Sequence, residues 1–176
     1  IWDGLAQVTK IEELKLTTRD IADYDVLMKH RLKICDQHNL TLKDIHKVIE
    51  NIEPFDGASE FLKWLREQNE VVILSDTFRE FINPLLHKLH YPTVLCHSLK
   101  LDRNSRIADY CLRINDHKRL AVKAFNELNY HSVAVGDSYN DINMLNEANQ
   151  GILFRTTEKI AAEFPNLPVF YDYEDL

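Results

Sequence analysis

The sequence predicts an α/β fold, in which a parallel sheet is covered by helices on both faces and a small helical unit precedes it. From Pro54 onward, short apolar runs typical of strands alternate with helical patterns, an order that favours parallel strands joined by crossover helices. The strand-like runs are apolar at consecutive positions, as expected of strands that are buried on both faces. Residues 1–53, by contrast, show helical periodicity only.

The first 53 residues carry two apolar stripes at helical spacing. One stripe comprises Leu27, Ile34 and Cys35. Thr41 precedes the second stripe and is a plausible N-cap, because Asp44 stands at the position that completes a capping box. No segment in this part has the pattern of a strand. The second stripe consists of Leu42, Ile45, Val48, Ile49 and Ile52.

The middle of the chain has the pattern of a helix, a strand, a second helix and a hairpin. The strand is expected to stop at Ser75 and Asp76. The helix after it contains Pro84, which should lie in its first turns or kink it, because proline has no amide proton. The hairpin alternates apolar and polar residues and should have one solvated face. The expected segments are a helix over 57–68, a strand over 71–74, a helix around 81–89 and two strands within 93–114.

The last part of the chain continues the alternation of helix and strand. Ligands in open parallel sheets bind outside the carboxyl ends of the strands, so polar residues that follow strands are candidate site residues. Both Ser75-Asp76 and Gly136-Asp137 are such residues. The expected segments are a helix over 118–129, a strand over 132–135, a helix from about 140, a strand over 151–154, a short helical stretch and an apolar run over 169–171.

The composition argues against several classes of function. The formal net charge is −7 and the pI is about 5.6, whereas nucleic acids and acidic membranes attract basic proteins. No run approaches the roughly 18 consecutive apolar residues of a membrane span. The three cysteines are far apart and have no CxxC spacing, which is typical of inert thiols in a reducing compartment. We therefore expect a cytoplasmic protein.

The stretch VAVGDSYND, residues 133–141, ends an apolar run on one carboxylate and presents a second one four residues later. A turn from strand to helix would bring Asp137 and Asp141 close to a common point. Two carboxylates that close repel each other unless a cation lies between them, and Mg²⁺ prefers such oxygen ligands. The alternative is that Asp137 only caps the next helix. The residues alone leave both interpretations open.

Ser75 and Lys118 are candidates for binding a phosphate group. A hydroxyl beside the free amides of a helix start forms an anion cradle, although Ser75 could also be a simple N-cap. Lys118 opens a helix, where a cation is unfavourable, and this hints at an anionic partner; taken singly, it could be a surface lysine. Together, the hydroxyl, the cation and the carboxylates supply what phosphoryl transfer needs at one edge of a sheet.

In these motifs the chain resembles the haloacid dehalogenase-like hydrolases, which are magnesium phosphotransferases. VVILSD, Lys118 and VAVGDSYND match the second, third and fourth motifs of that family. Together with TTRDIADYDVLMKHRL and GILF, they cover nearly the whole chain. Their order and spacing are most similar to the phosphoserine phosphatases, and within these to bacterial enzymes that also transfer the phosphoryl group to homoserine. The resemblance implies a Rossmann-like core over 54–176 and a helical cap over 1–53.

The resemblance also implies roles for individual residues. Asp137 would bind Mg²⁺, and Asp141 would support the ion or its waters. Arg31 would pair with the carboxylate of the substrate, for which the planar guanidinium is well suited. Without the resemblance, Arg31 would be one surface arginine among several. The remaining implied roles are phosphate binding and catalysis by Ser75 and Lys118, and substrate binding by Asp76 and Asn140.

The sequence departs from the family at its start. The family's nucleophile is the first Asp of a DxDx(T/V) motif at the end of the first core strand, and the second Asp is the general acid and base. No such motif occurs in this chain. Asp3 is a poor substitute, because no strand precedes it and no carboxylate follows two residues later. We expect that the chain begins downstream of that strand and also stops before the family's usual C-terminus.

Two functions fit this pattern. The first is a Mg²⁺-dependent phosphoserine phosphatase that forms an aspartyl-phosphate in the full-length protein, with transfer to homoserine as a further activity to test. The second is a catalytically inactive module that binds phosphate and carboxylate groups but lacks the nucleophile. A phosphorelay receiver is a third option, but the cap and the motif spacing argue against it. We expect a small-molecule substrate, no nucleic-acid or membrane partner, and a homodimer as one candidate assembly.

Overall fold

The computed structural model describes residues 2–16, 20–21 and 24–176. Residues 17–19 and 22–23, which belong to the segment TTRDIADYDVLMKHRL, lie outside the described residues. The chain divides into two compact units, Ile1–Leu112 and Arg113–Leu176. Each unit combines helices with a three-stranded sheet that contains parallel strands, which confirms the predicted α/β class.

The first unit begins with helices and continues with a mixed sheet. Strand β1 pairs in parallel with β2, and β2 pairs antiparallel with β3. The helical character expected before residue 54 and the expected hairpin are both confirmed. The elements are α1 (Trp2–Thr9), a 3-10 turn (Glu12–Lys15), α2 (Tyr24–Gln37), α3 (Leu42–Ile49), α4 (Ala58–Gln68), β1 (Val72–Phe78), α5 (Arg79–Lys88), β2 (Thr93–Leu101) and β3 (Ile107–Cys111).

Thr41 is the N-cap of α3, as the sequence predicts. The Asp44 carboxylate accepts hydrogen bonds from the backbone N–H of Thr41 at 3.1 Å and from its hydroxyl at 2.7 Å. The first of these bonds is the return arm of a capping box, which satisfies an amide that the helix itself leaves unpaired. The cap fixes the start of α3 and thereby the direction of its apolar face.

The helices and strands of the first unit share one apolar core. Both predicted helical stripes contribute to it, and Phe78 and Phe81 meet edge to face with their ring centroids 5.5 Å apart. Burial of these side chains is the main stabilising contribution here, since each removes a large apolar area from water. The buried members are Leu5, Ala6, Ile11, Leu14, Met28, Ile34, Cys35, Ile45, Val48, Ile49, Phe78, Phe81, Leu99 and Ile107.

Pro84 lies inside α5, past its first turn. A proline there has no N–H to donate to the carbonyl four residues earlier, which is that of Glu80. His46 of α3 takes the place of this donor, because its Nε2 lies 2.6 Å from the Glu80 carbonyl oxygen. The carbonyl that proline leaves unpaired within the helix therefore ties α3 to α5.

Strand β1 runs through Ser75 and Asp76 and ends at Phe78, so the expectation that it stops at Ser75 is wrong. Its pairing with β2 is regular up to Leu74 and resumes at Phe78, which lies opposite His97. Between these points β1 advances four residues while β2 advances two, which is a bulge. Polar residues in a bulge interrupt the apolar run of a strand, and in the sequence they resemble the start of a loop.

The second unit has the alternation of helix and strand that the sequence predicts. Its three strands are all parallel, in the order β4-β5-β6. No helix among residues 2–16, 20–21 and 24–176 is both long and apolar enough to cross a membrane. The elements are α6 (His117–Glu127), β4 (Val133–Gly136), α7 (Ile142–Glu147), β5 (Gln150–Phe154), α8 (Glu158–Glu163) and β6 (Val169–Phe170).

Gly151 of β5 lies where α7 approaches the strand. A Cβ atom at this position would lie 2.4 Å from the carbonyl oxygen of Leu145 and 2.9 Å from its carbonyl carbon. Because backbone atoms cannot move aside locally, Gly151→Ala should lower the free energy of unfolding by about 2 kcal/mol, measured by urea denaturation. Gly4→Ala is the control, since its Cβ would meet only a Val48 methyl at 3.3 Å and alanine favours the helix. Equal losses in both variants would contradict the steric argument.

Candidate active site

The acidic loop at the end of β4 closes tightly on the strand. Asp141 folds back against Gly136, where a Cβ atom would lie only 2.5 Å from the Cβ of Asp141. Any side chain at residue 136 would therefore push Asp141 away. The glycine before Asp137 is needed for this close approach, which brings the two carboxylates of the loop together.

Ser138 and Asp141 hold the loop in shape. One carboxylate oxygen of Asp141, Oδ2, accepts hydrogen bonds from the amides of Asp137 at 3.2 Å and Ser138 at 3.3 Å, and from the Ser138 hydroxyl at 3.1 Å. Ser138 is the N-cap of the 3-10 turn Tyr139–Asp141 that leads into α7. The cap considered for Asp137 is therefore supplied by Ser138. The spacing Ser-x-x-Asp was a readable signal for this arrangement.

Lys118 and Asp141 form a buried ion pair. The Lys118 Nζ donates to Asp141 Oδ1 at 2.9 Å, and the two side chains are only 10% and 7% exposed. Lys118 is thus a buried residue and not a surface lysine. A charge this deeply buried is tolerated only when it is paired and hydrogen-bonded, and the pair meets both conditions. Asp141 therefore uses one oxygen for the lysine and the other for the loop.

Asp137 is the carboxylate of this cluster that stays exposed. Although the side chain is exposed, the atoms packed around it raise the pKa of Asp137 by partial desolvation, and the Asp141 carboxylate raises it further. Lys118 acts in the opposite direction. An accessible carboxylate whose charge is disfavoured by its surroundings is stabilised by a cation, and its oxygens suit Mg²⁺. The donor set of the loop therefore fits a magnesium ion.

Three further contacts support the cluster and were not predicted from the sequence. The buried Thr156, just after β5, donates its hydroxyl hydrogen to the Asp137 carbonyl oxygen at 2.6 Å. Arg119 bonds Asp116, the N-cap of α6, at 2.5 Å and Glu147, at the end of α7, at 3.0 Å. The bonds of Thr156 to Asp137 and of Arg119 to Glu147 join residues distant in the sequence, and no local motif signals them.

Ser75 and Asp76 lie in the bulge of β1, within the first unit. The Ser75 hydroxyl oxygen accepts a hydrogen bond from the Thr77 amide at 3.3 Å. The N-cap position of α5 belongs to Phe78, so Ser75 is not the N-cap of this helix. The Asp76 side chain is 39% exposed and lies 3.9 Å from the Nε2 of His97. The bulge thus sets the direction of a hydroxyl and a carboxylate that a regular strand would place on opposite faces.

Arg31 is buried rather than a surface residue. It is 7% exposed, its Nη2 donates to the Leu16 carbonyl at 2.7 Å, and its guanidinium lies 4.7 Å from the centre of the Trp2 ring. A guanidinium that is stacked and hydrogen-bonded in this way is held in one orientation. Asn140, in contrast, is exposed, and its Oδ1 accepts from the Ser138 hydroxyl at 2.5 Å.

The structure therefore brings the predicted site residues together in two groups. Within the second unit, Lys118, Asp137, Asn140 and Asp141 belong to one loop and the helix packed on it. Ser75 and Asp76 share the bulge of the first unit, and Arg31 lies on α2 of that unit. The roles of these residues in binding remain predictions.

These features define an α/β protein with an oxygen-rich loop suited to a divalent cation and a buried lysine suited to an anion. The family model of the haloacid dehalogenase-like hydrolases matches residues 6–149. The chain belongs to this family of hydrolases, as its motifs predicted.

Two relatives with high sequence identity are both named phosphoserine phosphatases. Phosphoserine phosphatase ThrH of Pseudomonas aeruginosa is 54% identical over 176 residues, which are 100% of this chain and 86% of that protein. A phosphoserine phosphatase of Pseudomonas syringae pv. tomato is 52% identical over the same length, which is 74% of that protein. The predicted relation to this branch of the family is thus confirmed.

Solved structures agree with this assignment at the level of the fold. A phosphoserine phosphatase in its apo form has a TM-score of 0.74 at 22% identity and is matched over 95% of this chain and 84% of that one. A substrate-bound phosphoserine phosphatase complex has a TM-score of 0.73 at 21% identity, over 98% and 87% of the two chains.

Proposed function

We propose that this protein is a Mg²⁺-dependent phosphoserine phosphatase. The observation that carries the proposal is the buried ion pair of Lys118 and Asp141 in the same cluster as Asp137. Asp137 is exposed, and its pKa is raised. The pair supplies a fixed cation, and Asp137 supplies a metal ligand, as phosphoryl transfer requires. The 54% identity to a phosphoserine phosphatase supports phosphoserine as the substrate.

Each side chain of the second unit would have one task. Asp137 would hold Mg²⁺, which neutralises charge on the phosphoryl oxygens when bound. Lys118 would bind a phosphate oxygen, while its bond to Asp141 keeps the ammonium group in place. Asp141 would act by positioning Lys118 and the loop, and Asn140 would bind the substrate.

Residues of the first unit would have binding roles of their own. The Ser75 hydroxyl would donate to the phosphate, Arg31 would pair with the substrate carboxylate, and Asp76 would also bind the substrate. We propose that the helices of residues 1–53 act as a cap that excludes water, as lids of this kind do in other enzymes. The reaction would pass through a covalent aspartyl-phosphate, as the resemblance to the family implies.

The test is phosphate release from phosphoserine by the full-length protein with Mg²⁺. We expect turnover that chelation with EDTA removes and that Mg²⁺ restores, with phosphoethanolamine, which lacks the carboxylate, a poorer substrate. Tight binding of phosphate without any turnover would instead support the inactive binding module.

Homoserine transfer is a separate outcome of the same assay. Added homoserine should yield phosphohomoserine, identified by mass, if the site admits a second alcohol in place of water. Release of inorganic phosphate only, at every homoserine concentration, would limit the proposal to hydrolysis.

We propose a cytoplasmic location as well, because Cys35, Cys96 and Cys111 are all free thiols.

A further inference from the structure

The bulge in β1 is anchored on its downstream side by two buried aromatic side chains. Pairing with β2 resumes at Phe78 opposite His97, and both residues are buried, at 1% and 5% exposure. Their ring centroids lie 6.0 Å apart. Phe78 also packs against Phe81 and Tyr110, so this anchor belongs to the core of the first unit.

His97 is polar at a position where the core would accept an apolar residue. Burying an imidazole costs free energy unless its nitrogens find partners, which is why such residues usually serve a specific contact. The Nε2 of His97 lies 3.9 Å from Oδ1 of Asp76, the middle residue of the bulge. This distance exceeds that of a direct hydrogen bond, but it makes the ring nitrogen and the carboxylate immediate neighbours.

The contact reaches the phosphate-binding candidate through the backbone. Asp76 follows Ser75 directly, and the Thr77 amide on its other side donates to the Ser75 hydroxyl oxygen at 3.3 Å. A shift of Asp76 would therefore move both Ser75 and Thr77, the two partners of this hydrogen bond. His97 lies in the buried part of the first unit, whereas the Asp76 side chain is 39% exposed.

We propose that His97 is a positioning residue for phosphate binding: through Asp76 it fixes the β1 bulge, and with it the direction of the Ser75 hydroxyl. This inference rests on the proposed role of Ser75 in binding phosphate. It assigns a function to a buried histidine that the proposed chemistry does not use. Loss of a residue that supports a binding group in this way typically lowers affinity or activity by about 10- to 100-fold.

The experiment measures the affinity of the full-length protein for inorganic phosphate, by isothermal titration calorimetry with Mg²⁺ present. His97→Leu should weaken phosphate binding about tenfold, and Ser75→Ala should weaken it by a similar factor. The double variant should bind no more weakly than Ser75→Ala, because His97 acts through Ser75 and the two effects are not additive. His97→Gln, which retains a side-chain N–H donor, should recover part of the loss.

His46→Leu is the matched control. His46 is a second partly buried histidine of the same unit, and it bonds the Glu80 carbonyl away from the bulge. Its loss should lower the free energy of unfolding. The phosphate affinity should stay within about twofold of wild type, because residues that share no partners act independently. If His97→Leu does not fold, Asp76→Asn removes the other partner at a half-exposed position and should give the same loss.

The outcomes separate this inference from the proposed function. Unchanged phosphate affinity in His97→Leu, or losses that add in the double variant, would overturn the positioning role. An unchanged affinity in Ser75→Ala would overturn both the phosphate role of Ser75 and the inference. Coupled losses in a protein that does not hydrolyse phosphoserine would uphold the inference and refute the proposed substrate.

Discussion

Asp137→Asn should abolish Mg²⁺-dependent turnover of phosphoserine in the full-length protein, with a loss of about a thousandfold or more in kcat/KM. The substitution keeps the size of the side chain but removes the negative charge that would bind the ion. Metal ions contribute several kcal/mol of charge stabilisation, and each 1.36 kcal/mol corresponds to about a factor of ten in rate. The measurement is steady-state kinetics at several Mg²⁺ concentrations, so that a weakened ion affinity can be told from a lost one.

The stability of the metal-free protein provides a second measurement of the same residue. Because the pKa of Asp137 is raised in the fold, its contribution to stability is present at low pH and is lost as the pH rises through that raised pKa. Asparagine removes this loss, so the metal-free variant should be at least as stable as wild type at neutral pH. Mg²⁺ should raise the Tm of wild type and not that of the variant, since only wild type binds the ion.

Asp175→Asn is the matched control, an exposed carboxylate near the end of the same unit. It should leave both the rate and the Mg²⁺-dependent shift in Tm unchanged. Near-wild-type turnover in Asp137→Asn would rule out this residue as the metal ligand. A metal-free variant much less stable than wild type would show that Asp137 has a structural role instead.

The fold and the geometry of the acidic loop were predictable because their signals are local. Helical stripes, apolar runs and the capping pair Thr41 and Asp44 each depend on neighbours within one element, and all are confirmed. The acidic loop was readable for the same reason, since Asp137 and Asp141 stand on one turn.

The remaining contacts depend on packing between elements that are distant in the sequence. The burial of Lys118 follows from its pairing with Asp141, 23 residues away, and by helix position alone it could equally have been a surface residue. Thr156 reaches the Asp137 carbonyl from beyond β5, and no pattern indicates this contact. His97 is similar, because its importance depends on a bulge in the neighbouring strand, which appeared in the sequence as the end of that strand.

Arg31 shows how a resemblance can add what the residues alone leave open. Its position on a helix permits a surface location, and by composition it is one arginine among several. The structure places it under Trp2 with one N–H on the Leu16 carbonyl. Holding an arginine in this way costs side-chain entropy during folding. A guanidinium that is already fixed loses less conformational entropy when it binds a carboxylate.

Lys118→Met should destabilise the protein by about 3–5 kcal/mol and abolish turnover. Methionine fills a similar volume, but it leaves the Asp141 carboxylate buried at 7% exposure without its cation. Asp141 also accepts the two amides that shape the loop, so the loss should extend to the position of Asp137. The measurements are urea denaturation without Mg²⁺ and phosphate release with it.

The double variant Lys118→Met/Asp141→Asn separates the two effects. With both charges removed, no unpaired charge stays buried, and most of the lost stability should return, because a buried ion pair contributes little net stability over neutral partners. Activity should not return, since the cation that binds the anion is still missing. Lys123→Met on the same helix is the control, because its pair with Glu127 is exposed and 3.9 Å long, and it should resemble wild type in both measurements. A double variant as unstable as Lys118→Met would show that the lysine stabilises the fold by packing rather than by its charge.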